Sequence, residues 1–372
     1  MMNSRRFYLD WKQIPSIACI IFGLCLLSIN KETVDQYLGI DTNESLANQQ
    51  ANEPFAWMKE TGVSLTTIQG DPSKCTDVIF MVDSRDPFTG EGEDDRDFRA
   101  ISKVVESMEY ITRTSSALRR STCFAFVKIS SPFIDSNGKE LHPVWGRLPA
   151  TALVMSVFQK ADIFLYMDSD AILAFSDKTP TMMYNELAFD GYGADATMQH
   201  LRPGLIVNKP LTGWLCGECE KFGLGHGCFN TGVLLWHRAN AEPILRVWWD
   251  SRNDKRSQNI FDPETKEGFH GWNDDEPTLD KMGEQNRLIY LFGSDPLVRG
   301  LVWPVPRQKS EEHNSESCPN FVDEAHTPCL QNDFIYHGKW NPSDPSCFIS
   351  HLPDEKKNIL EVTEMIMQHK ED

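Results

Sequence analysis

Basic residues are scarce: 36 Lys and Arg stand against 54 Asp and Glu, a formal net charge of -18 over 372 residues. Without a cationic excess the chain is poorly suited to grip a phosphate backbone by counterion release, which argues against nucleic acid as a partner. The balance says little about a small substrate, because a bound cation inverts the local field at an acidic site. Long apolar runs are also missing. The one uncharged apolar segment, from about Ile14 to Ile29, has about 16 residues, the low end of a membrane span. No internal repeat is visible, which sets repeat architectures aside. Cys216-Gly-Glu-Cys219 lacks a second Cys-x-x-Cys or a His-x-x-x-His pair, so it reads as part of a disulfide framework rather than a zinc site. Disorder is excluded as well: 40% hydrophobic and 24% charged residues are ordinary globular proportions, with ample core.

What the N-terminus does carry sets the compartment. Arg5, Arg6 and Lys12 precede the apolar segment, and the polar Asn30-Lys-Glu-Thr-Val that follows offers no small-x-small cleavage site. The basic flank predicts a cytoplasmic amino end and a translocated remainder. A short span fits a thin early secretory membrane. Residues 1–12 therefore read as a cytoplasmic tail and 13–30 as a signal anchor. The expected location is the Golgi or endoplasmic reticulum membrane, single-pass type II, with a luminal globular part. A cleaved signal peptide is the alternative. Of the 10 cysteines, Cys19 and Cys25 fall inside the span, and the rest are even in number. In an oxidising lumen that parity favours disulfides, with pairing unreadable from sequence, although Cys318 and Cys329 are placed to staple the polar loop from Gln308 to Thr327. Asn43-Glu-Ser45 is a usable glycosylation sequon, whereas Asn341-Pro-Ser343 is blocked by its proline.

Residues 31–73 are polar and weakly periodic, the pattern of a stem, so the folded domain is expected over 74–352, with a final amphipathic helix over 353–372. Asp77-Val-Ile-Phe-Met-Val82 reads as a strand buried on both faces, Asp97 to Arg120 as a helix, and Cys123 to Ile129 as a second strand. This is a β-α-β opening that builds a right-handed parallel sheet. A helix to about Lys160 feeds the next strand. The stretch from Asp177 to Gly227 reads as an excursion over the site. Cys228 to Trp236 is a strand, Glu242 to Trp249 a helix, Leu288 to Phe292 strand-like, and Gly271 to Pro277 caps another helix.

The stretch around which the rest is arranged is Ala161-Asp-Ile-Phe-Leu-Tyr-Met-Asp-Ser-Asp-Ala-Ile-Leu173. A short apolar run stops at Asp168 and Asp170. In open α/β sheets, ligands gather outside the carboxyl ends of strands, where these acids would sit. Two hard carboxylates there suit a divalent cation that keeps positions open for phosphate oxygens. Solvated acids in a strand-to-loop turn are the plainer alternative.

The ordered series His142-Pro-x-Trp-x-Arg-x-Pro-Ala150, Leu165-Tyr-Met-Asp-Ser-Asp-Ala171, Phe229-Asn-Thr-Gly232, Asn273-Asp-Asp-Glu276 and Tyr336-His-Gly-Lys-Trp340 resembles the GT-A type II membrane glycosyltransferases. It is most similar to family 34, the galactosyl-, xylosyl- and mannosyltransferases, over roughly Asp77 to Trp340. The resemblance implies an α/β GT-A fold with a mixed, mostly parallel central sheet flanked by helices. It implies retaining transfer of a hexosyl or pentosyl unit from a UDP- or GDP-sugar to a glycan or glycoprotein. It also implies Mn²⁺ held by Asp168, Asp170 and His337, with the metal bridging the donor diphosphate. Gly338 and Lys339 would approach the phosphates, and Arg147 matches the family's phosphate-contacting basic residue. Asp83 would touch the nucleotide or cap its own loop. Asn230 would contact donor sugar or acceptor, and Asp274, Asp275 and Glu276 the sugar hydroxyls. Those three acids also suit a helix N-terminus. A silent GT-A scaffold and a haloacid dehalogenase-type phosphatase are the competing readings. The second places Asp-x-Asp near the start of its domain and has Thr or Val where Ile172 stands here.

Overall fold

The computed structural model describes residues 55, 58, 62–88, 96–173, 178–190, 202–208, 230–253, 284–305, 329–333 and 347–351. Asp77-Val-Ile-Phe-Met-Val-Asp83 is buried along almost its whole length, the signature of a strand covered on both faces. In chain order the elements are β1 (Val63–Gln69), β2 (Asp77–Asp83), α1 (Arg96–Thr114), β3 (Thr122–Ile129), the short hairpin β4 (Phe133–Ile134) and β5 (Glu140–Leu141), and α2 (Arg147–Val157). There follow β6 (Ile163–Met167), β7 (Ala171–Leu173), α3 (Pro180–Asn185), β8 (Leu205–Asn208), β9 (Asn230–His237) and α4 (Arg238–Asp250). The last are α5 (Glu284–Ser294), α6 (Pro296–Leu301), β10 (Val302–Val305), β11 (Cys329–Asp333) and β12 (Cys347–His351).

Seven strands form one sheet in the order β1-β3-β2-β6-β9-β8-β10. β3, β2 and β6 are parallel neighbours, as the β-α-β opening predicts, and β8 and β10 run the same way. β1 and β9 run against the rest. The expected mixed, mostly parallel α/β sheet is therefore present. Period-two alternation sorts its side chains to two cores. Val78, Phe80, Phe164, Tyr166, Leu234 and Trp236 face one way, packing with Leu148, Trp248 and Leu288 of α2, α4 and α5. Ile79, Met81, Leu165, Met167 and Val233 face the other, with Val104, Met108 and Ile111 of α1. A second sheet, β11-β12-β7, lies on that same side through Leu330, Ile349 and Ile172.

Four features differ from the sequence reading. Inside the segment read as a stem, β1 pairs antiparallel with β3, and Phe55 and Met58 are buried in the first core. As an edge strand, Val-Ser-Leu-Thr-Thr-Ile-Gln is only half covered, so its polar residues hid it among its neighbours. The stretch Leu288 to Phe292 is helical within α5, since a five-residue apolar run cannot separate strand from buried helix. The supposed excursion from Asp177 to Gly227 contributes β8 to the main sheet. Gly204 permits that approach, because a Cβ there would lie 2.4 Å from the Asn240 carbonyl oxygen. Finally, the helix expected to reach Arg120 ends at Thr114, where the next residues turn into Leu118–Arg120.

Among the described residues no helix is long and apolar enough to cross a membrane, and the expected anchor at 13–30 lies outside them. So do the sequon at Asn43, the Cys216–Cys219 pair, Cys318, the helix expected at Gly271 to Pro277, and the tail 353–372.

Cys75 and Cys123 form a disulfide across 48 residues, joining the approach to β2 with its parallel neighbour β3. Closing a loop of that length restricts the unfolded chain. Replacing both cysteines by serine is expected to lower stability by about 2–4 kcal/mol, read as a lower denaturant midpoint with a steeper slope, since the unfolded chain without the cross-link exposes more surface.

At the amino edge of the sheet Asp77 accepts hydrogen bonds from the Thr181 backbone N–H (3.1 Å) and hydroxyl, holding the first turn of α3 across 104 residues of sequence. Burial pushes its carboxyl up to about 6, opposed by the Thr181 bonds and reinforced by Asp162. A carboxyl raised in the folded state favours folding below its unfolded pKa, and that contribution is lost as pH rises through about 6. Asp77→Asn keeps an oxygen for Thr181 and cannot ionise. It is expected to flatten the stability profile between pH 4 and 7 and to gain up to about 3 kcal/mol at pH 7 relative to the native residue. Chemical denaturation across that range measures the slope.

Candidate functional site

The carboxyl ends of β2 and β6 and the start of antiparallel β9 meet at one edge of the sheet. The ladder between β6 and β9 extends one step further, with the Asp168 N–H donating to the Gly232 carbonyl at 2.7 Å. The chain then turns at once: the Ala171 N–H donates to the Asp168 carbonyl at 3.0 Å, so Asp168 and Asp170 occupy a tight turn between β6 and β7. Both acids are partly exposed. Continuous burial up to Met167 followed by a turn is what the sequence pattern predicts, because the acids cannot continue a buried strand.

Beneath Asp168 lies a buried polar cluster. Tyr166 is 1% exposed, and its phenol donates to Asp168 Oδ1. Arg147 opens α2, with its side chain only 11% exposed. Its Nη2 lies 3.4 Å from Asp168 Oδ1, and its Nη1 lies 2.7 Å from Glu284 Oε1 at the start of α5. Nη1 also donates to the Thr231 carbonyl (3.0 Å) and hydroxyl (3.1 Å). That hydroxyl in turn donates to Glu284 Oε1 at 2.9 Å, while the Thr231 N–H donates to Gln285 Oε1 at 3.0 Å. The Trp248 indole N–H donates to the Glu284 carbonyl at 2.8 Å, fastening α5 to α4. The guanidinium stands 5.3 Å from the Tyr166 ring centre.

The electrostatics follow from this enclosure. Burial alone would depress the Arg147 guanidinium, but the charges of Asp168 and Glu284 more than offset that and raise it, so it stays a cation. Burial pushes the Tyr166 phenol well above its usual range, opposed by Arg147 and reinforced by Asp168 and Glu284, so it stays a donor.

Asp83 ends β2 at the same edge. The Arg85 Nε and Nη2 donate to its two oxygens, both at 2.9 Å, and the Arg85 N–H to the first at 2.8 Å. This is the loop-capping arrangement that the sequence left open. Asn230 begins β9 at this edge, its backbone paired in register with Asn208. His337, Gly338, Lys339, Asp274, Asp275 and Glu276 lie outside the described residues. Of the chain before the first three, Cys329–Asp333 is described, and residues 334–336 lie outside the described residues. β12 pairs with β7 so that His351 stands opposite Ala171, and β11 pairs with β12 so that Asp333 stands opposite His351. Two strand spacings, about 10 Å, thus separate the end of β11 from the residue following Asp170.

Among the described residues no group of three or more His, Cys, Asp or Glu is clustered as a metal site. The donors present still suit a hard cation: two carboxylates in one turn, both partly exposed, one of them fixed from below. A carboxylate has about four lone-pair sites, so accepting from Tyr166 does not exhaust Asp168.

Sequence reasoning missed Glu284, Thr231, Gln285 and Tyr166. Tyr166 and Thr231 sit inside motifs already noted, where alternation along a strand puts Tyr166 on the same face as Asp168. Glu284 and Gln285 carry no local signal, because they reach the site only through the packing of α5.

No family model and no curated protein matches the chain. Among solved structures, it is similar to a glycosyltransferase involved in the glycosylation of the major capsid of PBCV-1. That pair is 15% identical with a TM-score of 0.40, covering 78% of this chain and 99% of that one. It is also similar to the bifunctional glycosyltransferase WbbM, at 10% identity and a TM-score of 0.37, covering 81% of this chain and 52% of that one. At these identities and scores neither protein bears on what this chain does.

Proposed function

We propose that this chain is a metal-dependent glycosyltransferase that moves a hexosyl or pentosyl unit from a UDP- or GDP-sugar to a glycan or glycoprotein, with retention at the anomeric carbon. The observation that carries this reading is the Asp168–Asp170 turn at the carboxyl edge of β6, fixed from below by Tyr166 and Arg147. The motif series quoted from the sequence supports it. Asp168, Asp170 and His337 are the proposed Mn²⁺ ligands, His337 on the strength of the sequence motif alone. When bound, Mn²⁺ supplies Lewis-acid stabilisation of the departing diphosphate.

The chain's own groups do the rest. Gly338 and Lys339 receive the phosphates by close backbone approach and a point charge. Asn230, Asp274, Asp275 and Glu276 orient donor sugar and acceptor hydroxyls. Asp83, in this reading, borders the nucleotide through its Arg85 clamp. The glycosidic bond to phosphate breaks as the acceptor oxygen bonds the anomeric carbon on the same face. The acceptor proton passes to the leaving diphosphate oxygen. The proposed setting is the lumen of the Golgi or endoplasmic reticulum, with residues 13–30 as the anchor.

A panel of UDP- and GDP-sugars assayed with and without Mn²⁺ tests this. Metal-dependent release of UDP or GDP from at least one donor is the expected result. Binding of nucleotide-sugar without turnover would instead indicate a silent scaffold, and release of phosphate from simple monoesters a phosphatase.

A further inference from the structure

Arg147 is shared unequally between two carboxylates. Its contact with Glu284 is 2.7 Å and with Asp168 is 3.4 Å, and the Glu284 side chain is 4% exposed against 26% for Asp168. By distance and burial the Glu284 contact is the tighter of the two, while the charge of Asp168 acts on the same guanidinium at least as strongly, so the cation is contested between them. Thr231 and Gln285 secure the Glu284 contact. The Thr231 hydroxyl donates to Glu284, its N–H is held by Gln285, and its carbonyl anchors Arg147 Nη1. No motif in the sequence contains Glu284.

We infer that Glu284 is a positioning residue that draws the charge of Arg147 away from Asp168, keeping the Asp168 carboxylate available to a divalent cation. This rests on the metal site proposed above. Asp168, Asp170 and Glu284 with Arg147 sum to a charge of about −2 around the turn, and neutralising Glu284 alone would leave about −1 with Arg147 free to close on Asp168. Neutralising Glu284 and Arg147 together restores about −2 and leaves no buried charge without a counter-charge. A residue that merely held α5 in place would not show this reversal.

The experiment is a Mn²⁺ titration of the full chain without sugar donor, following the electron paramagnetic resonance signal of free Mn²⁺, with thermal unfolding of each variant in parallel. Glu284→Gln is expected to weaken Mn²⁺ binding by about tenfold or more, the scale of groups that orient metal ligands. The double variant Arg147→Gln/Glu284→Gln is expected to bind within about threefold of the native chain, since coupled sites are non-additive. Native affinity in Glu284→Gln, or a double variant as weak as that single one, overturns the inference while leaving the metal site standing. If Glu284→Gln does not fold, Glu284→Asp, which withdraws the carboxylate from Arg147 while keeping its charge, takes its place: weaker Mn²⁺ binding supports the inference and native affinity overturns it. Asp170→Asn serves as the separate control. If it binds Mn²⁺ like the native chain, or the native chain shows no saturable binding, the metal site itself fails and takes the inference with it.

Discussion

Asp170→Asn is expected to lower Mn²⁺-dependent transfer by about a thousandfold, the scale of losing a preorganised charge-stabilising group. The substitution is nearly isosteric but exchanges an anionic oxygen for a neutral amide, which is a poor partner for a hard cation. Asp170 sits in a turn and is partly exposed, its Oδ1 turned inward, and the amide of Asn fills the same space. The thermal midpoint is expected to stay within about 2 °C of the native value. Turnover by Asp170→Asn close to the native rate would remove Asp170 from the proposed role. Asp168→Asn is a poorer probe, because it also disturbs the contacts with Tyr166 and Arg147, mixing structural and chemical losses.

Arg147→Met is expected to destabilise the protein by about 3–5 kcal/mol, because removing one member of a buried ion pair strands the other. Glu284 would keep its Thr231 hydrogen bond but lose the cation 2.7 Å away, in a side-chain environment only 4% exposed. For a domain of this size the loss corresponds to a fall in thermal midpoint of about 10 °C. Adding Glu284→Gln to Arg147→Met is expected to recover most of that, since no buried anion then remains unpaired. Circular dichroism melts of the single and double variants measure both values. A melt of Arg147→Met within about 2 °C of native would show that solvent reaches the cluster and screens it.

The two results address different layers of the same edge. The acid turn was legible from sequence because a buried strand cannot extend through two carboxylates one residue apart, so Met167 to Asp170 marks its own boundary. Arg147 was legible as a residue but not in its setting. The family resemblance implies phosphate contact, whereas the structure surrounds its guanidinium with Glu284, Thr231 and Asp168. Asp83 was legible as the end of β2, whereas the fork of Arg85 on its two oxygens was not. Of the sheet, the strands buried on both faces were readable and the half-covered β1 and four-residue β8 were not.

The sequence by itself determined the central parallel strands, the helix of α1, the acid turn and the reversal of polarity that ends β6. Each depends on hydrophobic periodicity or its interruption within a dozen residues. Only the tertiary structure decided that β9 runs against β6, that α5 is a helix, and that Glu284 meets Arg147 across 137 positions. The physical reason is that a buried charge must find its counter-charge wherever packing brings one, and packing couples residues with no regard to their separation along the chain.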